Sequence, residues 1–190
     1  MKKNLFLNLI AAFALFWLLP ISTQAQNPTY ICEVRNDAQI SSTEYVFDLY
    51  IVHTNPGVVA TYQCAGIQAG FSYNTGVLPS GATLSATIVD GYSGLALCQQ
   101  PKQANLTLVA TGIKMTLAAP ACGAGNGTII STTAPGTCVT RIKLTSTLPF
   151  VANSQFNINW TFTPAPWPSK VYAYLPAYTN ITVNSNHVIT

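Results

Sequence analysis

From Tyr30 onward, apolar residues recur at every second position in short runs separated by Gly, Pro and Asn. A period of two sends alternate side chains to opposite faces of a strand, whereas a helix needs apolar residues three and four apart. Glu44 to His53 is the clearest run, with Phe47, Leu49 and Ile51 on one face and Val46, Asp48, Tyr50 and Val52 on the other. In AGIQAGFSYN, Ile67, Ala69, Phe71 and Tyr73 share a face, and Gly66, Gln68, Gly70 and Ser72 share the opposite one. Gln155 to Phe162 alternates most cleanly, with Trp160 expected in the core, and further strands are expected over 30–34, 82–89, 105–110, 113–117, 128–131, 139–145, 171–175 and 180–183. The stretch 164–169, with three prolines that cannot serve a central ladder, reads as a stiff loop. About nine or ten short strands without an amphipathic helix predict an all-β fold, a two-sheet antiparallel sandwich or jelly roll, with a closed barrel as the alternative.

The first 25 residues read differently. Lys2 and Lys3 precede an apolar run from Leu5 to Leu19, and Thr23-Gln24-Ala25 supplies small side chains at the exit, the pattern of a Sec signal peptide cleaved before Gln26. The run is short for a bilayer span of about 20 residues. Residues 26–190 are then expected to form one sandwich domain, secreted or held at the cell surface, with no integral membrane span after cleavage.

Only 7% of the chain is charged, against roughly 25% in an ordinary soluble domain. The basic residues Arg35, Lys102, Lys114, Arg141, Lys143 and Lys170 are scattered, which argues against nucleic acid as a partner, since that needs a basic patch. Export makes disulfides possible for Cys32, Cys64, Cys98, Cys122 and Cys138. Spacing cannot fix their connectivity; the preferred pairs are Cys64 with Cys98 and Cys122 with Cys138, leaving Cys32 free or buried. Zinc is not expected, because there is no C-x-x-C pair and His53 and His187 stand alone, at a strand end and in the terminal tail. No other cofactor or metal is expected. The acids Glu33, Asp37, Glu44, Asp48 and Asp90 offer no paired-carboxylate pattern, and Ser93 in GYSGL lacks the nucleophile-elbow spacing, so no catalytic residue is named and the chain is read as a non-enzyme.

The segment AGIQAGFSYNTGVLPSGATLSATIV, with Gly66, Gln68, Tyr73 and Asn74 in a G-x-Q-x-x-x-x-Y-N arrangement, resembles the cohesin and carbohydrate-binding-module sandwich families. EYVFDLYIVHTN, PGTCVTRIKLTST, FNINWTF and VYAYLPAYTNITVN are similar to parts of large secreted surface proteins of Bacteroidetes-type bacteria. Many such proteins end in a type IX secretion sorting domain, which NSNHVIT does not resemble; a fragment and a protein exported without that route both fit. The resemblance implies a non-catalytic extracellular module for adhesion, scaffolding or protein interaction. The alternative is a carbohydrate-binding module using the aromatics that alternation leaves off the core, Trp167, Tyr172, Tyr174 and Tyr178. The expected partner is accordingly a polysaccharide or another extracellular protein.

Overall fold

A computed structural model describes residues 26–108, 115–162, 168–174 and 177–190. Its strands are β1 (Tyr30–Gln39), β2 (Glu44–His53), β3 (Cys64–Ser72), β4 (Leu84–Val89), β5 (Leu106–Leu108), β6 (Met115–Ala119), β7 (Thr137–Ser146), β8 (Asn159–Trp160), β9 (Lys170–Tyr174), β10 (Tyr178–Asn180) and β11 (His187–Ile189). They form two sheets. The first runs β11-β1-β2-β7-β4, and the second runs β10-β9-β3-β6-β5, with β8 adding a short pairing on β3. Every pairing is antiparallel except β1 with β11. The predicted all-β two-sheet fold is therefore what the chain adopts.

The alternation of β2 explains its place. Phe47, Leu49 and Ile51 are fully buried, and across the core Ile67, Ala69 and Phe71 of β3 meet them. The Phe47 and Phe71 rings contact edge to face at 5.5 Å, a geometry that adds about 0.5–1.5 kcal/mol beyond the area buried. One edge of the first sheet is β4, the other β11; at β4 the ladder is capped. There the Gln103 amide donates to the Ala86 carbonyl at 2.9 Å and accepts from the Ile88 N–H at 3.0 Å, occupying ladder positions that would otherwise invite another strand. Gly136 leads into β7 with φ 97°, where a Cβ would run into the Ile51 carbonyl. Only glycine suits that turn.

Two expected strands dissolve. Of Gln155 to Phe162 only Asn159–Trp160 is a strand, because Asn157 takes φ 47° and breaks the ladder. Its alternation still works as a packing code: Phe156 and Ile158 are buried, and Trp160 is half-buried against the core, where its indole N–H donates to the Val188 carbonyl at 2.9 Å. Residues 128–131 contribute an isolated bridge, Gln63 to Ile129. The terminal tail, by contrast, holds strand β11.

The disulfide joins Cys98 to Cys122, with Cα atoms 5.6 Å apart, so the expected pairs Cys64–Cys98 and Cys122–Cys138 are not formed. Gln99 shows why. It is fully buried, donating to the Cys64 carbonyl at 2.9 Å and accepting from the Thr128 N–H at 2.6 Å, and its inward turn leaves Cys98 on the surface. Cys64 is a buried residue of β3, and Cys138 sits on β7 opposite Tyr50. The bridge fastens the connection from β4 to β5 to the connection from β6 to β7, both of which cross between the sheets. Among the described residues no helix is long and apolar enough to cross a membrane.

Candidate functional site

The outer face of the second sheet brings three of the four predicted aromatics together. Tyr178 pairs with Tyr174, Asn180 with Tyr172, and Tyr172 in turn with Gly66. Residues opposite one another, and those two apart on one strand, share a face. Gly66, Gln68, Lys170, Tyr172, Tyr174, Tyr178 and Asn180 therefore lie on one surface, while Ile67, Val171 and Ala173 turn to the core. The Tyr172 and Tyr178 rings stack at 4.6 Å and 26°, and Tyr174 meets Tyr178 edge-on at 6.2 Å. Tyr178 is 53% exposed. Its hydroxyl is pushed up in pKa by partial burial and by the neighbouring Tyr172 and Tyr174, so it acts as a neutral phenol.

Beside this platform lies an open cavity of about 200 Å³, lined by Gly66, Gln68, Tyr172 and Tyr178 and by the chain from Ala118 to Ala121. It is smaller than the roughly 300–1,000 Å³ of pockets that engulf a drug-sized ligand, and so suits a single ring laid against a surface. Gly66 makes the room: a Cβ there would stand 3.3 Å from the Ala119 carbonyl and 3.5 Å from the Tyr178 hydroxyl. Gln68 is held in place as its Nε2 donates to the Pro168 carbonyl at 2.6 Å. One polar amide, a glycine floor and an aromatic wall can bind a flat, hydroxylated molecule by stacking and hydrogen bonding.

Trp167 lies outside the described residues. The Gly66 and Gln68 floor and the Ala118–Ala121 wall were not named as site residues from sequence. Their alternation marks a common face within β3, but only the register of β3 with β9 and β6 carries them to the tyrosines.

The remaining polar groups are engaged elsewhere. On the outer face of the first sheet Asp48, 1% exposed, accepts from Arg141 at 2.6 and 2.8 Å and from Asn36 at 2.8 Å. The Tyr92 ring covers the guanidinium at 3.9 Å. Ser93 accepts from the Leu95 N–H within the same turn. His53 is buried at the end of β2, its Nε2 3.0 Å from Asn55 Oδ1. His187 stands among Tyr30, Trp160 and Phe162 at 5.6, 4.7 and 4.9 Å, and burial lowers its pKa to about 4. Burial raises the Cys64 and Cys138 thiols to about 11 and drives Cys32 up as well, which leaves all three poor nucleophiles. Among the described residues no group of three or more His, Cys, Asp and Glu side chains is arranged to hold a metal ion.

The chain matches no protein-family model, and a search of curated proteins finds no match to it.

Proposed function

We propose that this protein is a non-catalytic, exported binding module whose ligand surface is the tyrosine platform on the outer face of its second sheet, and that the ligand is a polysaccharide. The observation that carries this reading is the convergence of Tyr172, Tyr174 and Tyr178 beside a cavity floored by Gly66 and Gln68. Large rigid rings give contact area at little entropic cost, and half-exposed ones gain most from a flat partner. The leader-like residues 1–25 and the Cys98–Cys122 bridge support export. A binding rather than catalytic role is supported by the state of four of the five carboxylates: Glu33, Glu44 and Asp48 are in ion pairs, and Asp37 accepts from the Tyr45 hydroxyl at 2.6 Å.

A protein partner is the second reading, favoured by Leu97, which is 84% exposed next to the bridged Cys98. Affinity electrophoresis against soluble polysaccharides, with pull-down on insoluble ones, separates the two. Retardation by a glycan that disappears in Tyr172→Ala/Tyr178→Ala is expected. Binding to no glycan, with capture of a protein partner that Leu97→Ser abolishes, would overturn it.

A further inference from the structure

Charge is segregated between the two sheets. All five carboxylates that follow the leader lie on or beside first-sheet strands: Glu33 and Asp37 on β1, Glu44 and Asp48 on β2, and Asp90 directly after β4. There they meet the cations Arg35, Lys143 and Arg141, which pair with Glu33, Glu44 and Asp48. The second sheet carries no acidic residue in any of its strands. Among its described side chains its one cation is Lys170, which opens β9 and forms no ion pair.

Lys170 is placed with the tyrosine platform. It is the register partner of Gln68, a residue of the cavity lining, and it lies two residues before Tyr172 on the same face. Directly opposed residues on paired antiparallel strands have Cβ atoms about 5 Å apart, well within reach of the lysine's four-carbon stem. Nor does a carboxylate on this sheet compete for the ammonium. Gln68 adds direction: with one Nε2 hydrogen donated to Pro168, its Oε1 can accept from a hydroxyl.

Resting on the polysaccharide reading above, we propose that the ligand is an acidic polysaccharide built of uronic acid residues. The sugar carboxylate meets the Lys170 ammonium, a sugar hydroxyl donates to Gln68, and the apolar face of the ring lies on the tyrosines. An exposed ammonium–carboxylate contact changes affinity by about two- to fivefold per site at low salt, and the effect fades as the Debye length shrinks.

Affinity electrophoresis of the purified protein in gels containing polygalacturonate or neutral galactan tests this, at about 20 mM and 500 mM salt, with thermal melting confirming that each variant is folded. The expected result is stronger retardation by polygalacturonate at low salt, falling to the galactan level both in Lys170→Met and at high salt. Retardation by polygalacturonate that Lys170→Met leaves unchanged, or equal retardation by galactan, would overturn the uronate assignment; if Tyr172→Ala/Tyr178→Ala still abolished it, the polysaccharide reading would stand. Absence of retardation in either gel would overturn the assignment, and the broader glycan panel described above would then decide the polysaccharide reading separately.

Discussion

The two sheets face solvent in different ways. The first is built around three ten-residue strands, β1, β2 and β7, and on them Glu33, Glu44 and Asp48 are spent on Arg35, Lys143 and Arg141. Asp48 lies beneath Arg141, and Arg141 beneath Tyr92. The second sheet has shorter strands at both edges, β10 and β5, and its outer face shows glycine, an amide, three tyrosines and one lysine beside a cavity. A surface whose polar groups already satisfy each other has little to gain from a ligand, whereas aromatic area left half-exposed gains by being covered. Under the proposed function the first sheet is the stabilising layer and the second the binding layer.

The largest effect tests what the layers share. Phe71→Ala removes the ring that meets Phe47 from across the core, and should cost about 3–5 kcal/mol. Chemical denaturation measures it, and a loss below about 1 kcal/mol would mean that the sheets are not joined through this pair. Next comes the bridge between the crossover connections. Closing a chain segment with a sequence separation of 24 stabilises by about 3 kcal/mol in the chain-entropy account, so Cys98→Ser/Cys122→Ser should lower stability by up to that amount. Peptide mapping without reduction should recover Cys98 joined to Cys122; recovery of Cys64 joined to Cys98 would restore the pairing expected from sequence.

A smaller effect concerns the seam where β11 meets the second sheet. His187 sits on the first sheet's edge, yet its ring packs on Trp160 and Phe162. Its Nδ1 is 3.0 Å from the Val183 carbonyl, and its buried Nε2 has no hydrogen-bond partner among the described residues. The remaining neighbours from β1 are Tyr30, whose hydroxyl pKa is raised by burial, and Cys32, also raised by burial. With the folded pKa lowered from 6.5 to about 4, the unfolded chain binds the extra proton more readily. The stability this histidine contributes is full above pH 6.5 and declines as pH falls toward 4, by on the order of 2 kcal/mol. Thermal melting from pH 7 to 4 should show that decline, and His187→Phe should flatten it relative to the native chain. An identical slope in the variant would remove His187 from the account.

How much of this was legible in the sequence differs between the layers too. The bounds of β2 and the core set Phe47, Leu49 and Ile51 follow directly from alternation, because a long strand buried on one face must repeat every two residues. Short strands carry too few repeats to be read in this way. β11 has three residues and pairs in parallel with β1, a contact across the whole length of the chain that no local pattern encodes. Gln155 to Phe162 shows the converse, since alternation fixed which side chains turn inward but not whether the backbone would join a ladder. The tyrosines were visible as aromatics off the core, and Tyr172 and Tyr174 as neighbours on one face. That Gly66, Gln68 and Lys170 join them depends on register, which arises from packing between distant segments. The cysteine pairing failed for a related reason: the inward turn of Gln99, which sends Cys98 outward, is a tertiary contact.

The central claim is that binding belongs to the second sheet's outer face, and matched surface variants test it most directly. Affinity electrophoresis of Tyr172→Ala/Tyr178→Ala should show polysaccharide retardation lost with a melting temperature near that of the native chain, while Tyr92→Ala on the first sheet should retain retardation in full. Retardation that survives the double substitution, or that Tyr92→Ala abolishes instead, would contradict the division of labour between the two sheets.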